Sequence, residues 1–191
     1  LEKHGEFYHP ARIEVLACYQ KISFVLNVAV SETGIETIKK EYHSLTKLND
    51  EFPLCFLPEV FGFGEVASTG GHKIQMFLGH WFEGYNEFHV SRDPSDKKNK
   101  ILVWDDNRGH FYLSLEQSAD LYRQTARILT YYYNIESFDQ IFSWHHGAGD
   151  FIVNTDREQP RIKLITARQY APLFEQVEND AETLVQALLL F

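Results

Sequence analysis

Residues 142–154 read FSWHHGAGDFIVN. Two adjacent histidines, two glycines and an aspartate stand between a long helical pattern and a short apolar run with two β-branched residues, Phe151, Ile152 and Val153. Polar groups at the mouth of an apolar strand are a common form of active-site loop, because a rigid strand positions what the loop presents. In extended chain neighbouring side chains point to opposite sides, so only one of His145 and His146 faces a given pocket. Three readings of the pair stay open. In the first, one histidine fixes the loop by hydrogen bonds while the other packs or is solvated. In the second, His145 is a general base near neutral pH, with Asp150 orienting it or binding a cation. In the third, His145, His146 and Asp150 join a distant ligand such as His4 or His9 around a metal, although the spacing matches no strong zinc signature. Gly147 and Gly149 serve the conformation of the loop by permitting positive φ.

Upstream of the loop, Leu115, Ala119, Tyr122, Ala126, Leu129 and Tyr133 repeat at helical spacing, which predicts a helix over 115–134. Ser114 followed by Gln117 forms its capping box. Tyr131, Tyr132 and Tyr133 read as packing groups, and 135–142 as short helical or irregular chain. Before the helix, 101–113 reads as a hairpin with its turn at 105–109. The charged run 91–100 reads as a solvated face, and 83–90 as a linker. Earlier still the order is β-β-α-β-β. Strands are expected at 11–19, 21–30, 57–67 and 73–82, the last alternating Ile74, Met76 and Leu78. Thr33 and Glu36 give a capping-box signature for a helix over 34–49. Its stripe is Ile35, Ile38, Tyr42, Leu45 and Leu48, with Glu41 near the inward edge. Downstream, 161–166 reads as a strand that pairs with 151–153 across a turn at 156–160, and a last helix follows Pro172.

The bulk numbers bound the function. The 191 residues allow one large domain or two small lobes. A net charge of −9 argues against a nucleic-acid partner held by a general basic field. No apolar run approaches the ~18 residues of a membrane span, and no signal-peptide pattern opens the chain, so a soluble cytoplasmic protein is expected. Cys18 and Cys55, both among apolar neighbours, read as reduced buried thiols rather than a bridge. Neither G-x-S-x-G nor H-E-x-x-H occurs, which removes the common hydrolase signatures. GFGEV at 62–66 lacks the glycine pattern of a dinucleotide loop. Leu1 in place of Met and an apolar end at 184–191 read as cut ends.

The order of elements resembles the protein-kinase-like fold, in its aminoglycoside and choline phosphotransferase branch. The small lobe, linker, long helix, catalytic loop and following hairpin all have counterparts, over most of the chain. The resemblance implies ATP and magnesium as cofactors and assigns roles to particular positions. A phosphate-holding lysine is expected within FVLNVAV, where Asn27 stands. Its glutamate partner matches Glu41 in IKKEYHSL. Glu83 opens the linker that would grip a nucleotide through backbone groups. Set against the branch's His-Gly-Asp-x-x-x-x-Asn loop, SWHHGAGD puts His145 at the catalytic aspartate and Asp150 at the metal-binding asparagine. The metal-binding aspartate of the next hairpin falls on Thr166, within KLITARQY. Only Gly5 lies in the segment that would supply the phosphate loop, and the family's substrate-binding helices would come after residue 191.

The expected fold is therefore α+β and two-lobed. Residues 1–82 form a β-rich small lobe with helix 34–49, 83–90 the linker, and 91–191 a truncated helical large lobe. Asn27 cannot neutralise phosphate, and one carboxylate, Asp150, makes a weak magnesium site. The expected function is a pseudokinase-like binding or regulatory module for a nucleotide or another small molecule. The alternatives are an active phosphotransferase with a rewired His145 and Asp150 site, and a protein-interaction domain without a ligand.

Overall fold

The computed structural model describes residues 7–17, 19–142, 149–172 and 180–190. Strands β1 (His9–Ala17) and β2 (Gln20–Ala29) pair antiparallel from His9↔Val28 to Ala17↔Gln20. Helix α1 (Glu32–Glu51) follows at once. Its N-cap is Ser31, not Thr33. The Ser31 hydroxyl accepts from the Gly34 N–H at 3.1 Å, and its extended backbone (φ −94°, ψ 156°) is the conformation an N-cap needs. The helix thus opens at Glu32 rather than 34. Gly34 is required by space: a Cβ there would collide with the Phe7 carbonyl oxygen.

β3 (Val60–Ala67) and β4 (Lys73–His80) complete a sheet of order β1-β2-β4-β3. β3 starts later than the expected 57 because the preceding residues are engaged elsewhere. Asn49 Nδ2 donates to the Pro58 carbonyl at 2.9 Å, and the Leu164 N–H donates to the Phe56 carbonyl at 3.1 Å. On β4 the inward face is Gln75, Phe77 and Gly79, not the expected Ile74, Met76 and Leu78, which are half-buried. Both faces carry apolar groups, and α1 selects one of them. The Tyr42 ring lies 5.3 Å from Phe63 and 5.9 Å from Phe77, centroid to centroid. Phe63, Phe77 and Asn27 are register neighbours and share that face.

The second half of the chain holds more strand than a helical lobe would. A five-stranded antiparallel sheet of order β10-β9-β5-β6-β7 is built from β5 (Asn86–Arg92), β6 (Asn99–Trp104), β7 (Phe111–Tyr112), β9 (Phe151–Asn154) and β10 (Arg161–Leu164). The expected hairpin at 101–113 and the pairing of 151–153 with 161–164 are both present. Unexpected is β5, which takes up the back half of the expected linker and pairs with β6 across 93–98. The charged run is a built turn: Asp93 accepts from Lys100 Nζ (2.6 Å) and from the Ser95 hydroxyl and N–H (2.7 and 2.8 Å), which together hold its carboxyl down at about 2. β8 (Gln140–Phe142) and β11 (Gln169–Ala171) form a separate two-stranded ladder where irregular or helical chain was expected.

Helix α2 (Leu115–Tyr131) carries the expected capping box of Ser114 and Gln117. Its buried face differs from the expected stripe. Leu121 and Ile128 are buried and Tyr132 follows them, whereas Leu115 and Tyr122 are exposed. The helix is apolar on more than one side, and the sheet takes the face whose Gln124 can also donate to the Pro160 carbonyl at 2.6 Å. Helix α3 (Asp180–Leu190) ends the described chain. One core runs through both halves, from Ile38, Leu45 and Phe77 to Phe88, Val103, Ile128 and Leu164. Tyr132 joins them: buried beside Phe52 at 5.1 Å, it donates its hydroxyl to the Leu54 carbonyl at 3.2 Å. Cys55 is exposed, not buried, because the 52–58 segment turns its backbone inward to β10 and its thiol outward. Cys18 lies outside the described residues.

Candidate functional site

The turn before β9 positions Asp150. Gly149 has φ +88°, in the left-handed region open to glycine, with no atom within 4 Å of where a Cβ would stand. Its requirement is conformational rather than spatial. The turn leads into β9, whose four residues are all buried, and the Asp150 carbonyl accepts from the Ile165 N–H at 2.8 Å. This ties the start of β9 to the residue just past the end of β10. Asp150 is 1% exposed. Arg168 Nη2 donates to its Oδ1 at 2.7 Å.

Glu41 reaches the same region from α1. It too is 1% exposed. The Thr166 hydroxyl donates to Glu41 Oε1 at 2.5 Å. Tyr8 and the Ala167 N–H lie beside the carboxylate, but no donor closes on Oε2 at hydrogen-bonding distance. Burial pushes the Glu41 carboxyl up, and Thr166, Tyr8 and the Arg168 charge only partly offset that. Burial and the Glu41 charge raise the Tyr8 phenol well above its ordinary range. Burial opposes the charge on Arg168, yet Asp150, Tyr8 and Glu41 outweigh it and raise its pKa.

Two buried acids therefore share one half-buried guanidinium. Taking an unpaired carboxylate out of water costs several kcal/mol, of order 3–5 when a buried pair is broken. Arg168 and the Thr166 hydroxyl provide the compensation. Arg168 and Tyr8 were not singled out from sequence. A charge balance would have found the first: a buried Asp150 needs a cation, and between Leu164 and Tyr170 only Arg168 carries one.

Of the expected site residues, the structure brings Glu41, Thr166 and Asp150 together around Arg168. Asn27 is buried on the sheet face that α1 covers and joins none of these bonds. The Glu83 carboxylate pairs with Arg12 Nη2 at 2.7 Å, and the Arg12 guanidinium lies 5.1 Å from the Trp81 ring centroid. On β10 the Lys163 amine donates to the Cys55 carbonyl and lies 5.2 Å from the Phe82 ring centroid. Burial lowers its pKa. His145, His146, Gly147 and His4 lie outside the described residues. Among the described residues no group of three His, Cys, Asp or Glu is arranged to hold a metal ion, and no helix is long and apolar enough to cross a membrane.

The donor set does not fit magnesium. An octahedral site needs oxygen ligands free to turn to the ion. The Asp150 oxygen is held by a guanidinium, and Thr166 offers a neutral hydroxyl already donated to Glu41. A divalent ion there would have to displace Arg168. Compared with known protein families and with characterised proteins, the chain matches none.

Proposed function

We propose that this chain is a pseudokinase-like regulatory module: kinase-like and two-lobed in organisation, acting by binding rather than by phosphoryl transfer. The observation that carries the reading is the Asp150–Arg168 pair. It puts a protein cation against the carboxylate that the family resemblance assigns to the metal. The Thr166–Glu41 bond supports it, since the Thr166 hydroxyl is already given to Glu41 Oε1. The order β1-β2-α1-β3-β4, with the capped helix α2 and the β9–β10 hairpin later in the chain, is compatible with the reading, although β5, β6 and β7 stand between β4 and α2. A cytoplasmic location goes with this reading, and Cys55 would stay reduced there.

The test is a nucleotide panel on the purified protein. A thermal-shift series with ATP and GTP, each with and without magnesium, should show no gain from the metal, because Asp150 is already neutralised. Phosphate release should stay at the buffer rate. Turnover of ATP that His145→Ala abolishes would establish the active, rewired site instead.

A further inference from the structure

At the opposite end of the β9–β10 hairpin from Asp150 lies an open groove of about 580 Å³ between α2 and the 155–161 turn. Four arginines line it: Arg123 and Arg127 from successive turns of one helix face, Arg157 and Arg161 from the turn and the start of β10. Asp120 and Glu158 are its acids, so the lining carries four positive and two negative charges, a net of +2 on a chain whose total is −9. Overall basicity cannot explain the cluster. Arg123 is paired to Asp120 at 2.5 Å, and Arg161 donates to Asn154 Oδ1 at 2.9 Å. The side chains of Arg127 and Arg157 make no hydrogen bond or ion pair with any described residue. Two like charges left facing one trough repel each other, and an anion between them turns that cost into attraction. The planar fork of arginine suits carboxylate in particular.

We infer that this groove binds an acidic peptide segment of a protein partner, with Arg127 and Arg157 taking two of its side-chain carboxylates. Three features select a peptide. The trough is open and runs between a helix and a turn, so it suits an extended chain. No aromatic residue lines it, so bases would have nothing to stack on, and a long polyanion would be repelled by the acidic remainder of the molecule. Asp120 and Glu158 inside the groove disfavour a compact polyphosphate and favour acids spaced by neutral residues. The inference stands whether or not the pseudokinase reading does, since none of these residues belongs to the Asp150–Arg168 site.

The test is fluorescence anisotropy with a fluorescein-labelled Glu-Ala repeat peptide. Wild type should bind it saturably at low salt and more weakly as salt rises. Arg127→Glu with Arg157→Glu should weaken binding by about tenfold or more, and the double alanine variant by less. Both residues are exposed and unpartnered among the described residues, so circular dichroism and melting should be unchanged, which separates lost binding from lost fold. Equal binding by wild type and the charge-reversed variant would overturn the site. Tighter binding of single-stranded DNA of equal charge would overturn the peptide as its occupant, and so would full competition by inorganic pyrophosphate at equal charge. No saturable binding by wild type would overturn it outright.

Discussion

At the scale of single residues, Arg168 governs the candidate site. Arg168→Ala leaves Asp150 buried without the cation that holds it, and should cost about 3 kcal/mol in urea denaturation. The double change Arg168→Ala with Asp150→Asn should lose less than Arg168→Ala alone, because the unpaired charge goes too. Equal losses would show that the pair is not coupled. Glu41 gives a second test, through pH. Its folded pKa is raised above the ordinary 4.5 by burial. A carboxyl of that kind binds more protons folded than unfolded. Its stability contribution is complete below the unfolded pKa and is lost as pH rises through the folded one. Glu41→Gln keeps an oxygen for Thr166 and cannot titrate. The melting temperature of the variant minus that of wild type should therefore increase as pH rises above 4.5; a difference that stays flat would mean Glu41 is ionised at no net cost.

At the scale of elements, the strengths and failures of sequence reading have separate causes. Local chemistry was legible. Ser114 and Gln117 form their capping box, 151–153 pairs with 161–164, and Glu41 sits inward as its place beside the α1 stripe implied. Choices made by tertiary packing were not legible. β4 and α2 each offer two apolar faces, and nothing within either segment says which one a neighbour will cover. β5 escaped notice because its residues, NEFHVSR, mix polar and apolar groups, and its partner β6 and the Asp93 turn are what make it a strand. The α1 cap shows how close two local signals can stand: Ser31 and Thr33 both qualify, and the Phe7 backbone packed on Gly34 favours the earlier start. Ser31→Ala should destabilise the protein by about 1 kcal/mol, read from the denaturation midpoint, and Thr33→Ala by much less. At the candidate site the acids were legible and their cation was not. A charge pair across 18 residues leaves no periodic trace, whereas Glu41 lies on a helix whose period shows.

At the scale of the whole molecule, the 52–58 segment joins the two main sheets into one core. Phe52, Phe56, Tyr131 and Tyr132 interlock there, and Leu54 is bonded by both tyrosines, its N–H donating to Tyr131 at 3.1 Å and its carbonyl accepting from Tyr132. Burial raises the Tyr132 phenol to about 12, so it remains a donor across the physiological range. Unfolding should be a single transition, followed alike by far-UV circular dichroism and by tryptophan fluorescence, with Trp81 and Trp104 on either side of the join. Tyr132→Ala should lower that one transition by about 4 kcal/mol. A melt that splits in two would show that the halves are held by separate cores.

The built-in guanidinium also bears on how such a chain could change over generations. Under the proposed reading, recovery of metal chemistry would begin with an acid at Thr166. Thr166→Asp would set a third carboxylate beside Glu41 and near Asp150, with Arg168 still the cation held between them. Removal of Arg168 first would strand Asp150. Either single step lowers stability before it restores anything, and a marginally stable fold tolerates few such steps. Under the proposed reading the Asp150–Arg168 bond would work as a ratchet, leaving neutral drift free to move the surface while metal chemistry stays out of reach by one substitution at a time.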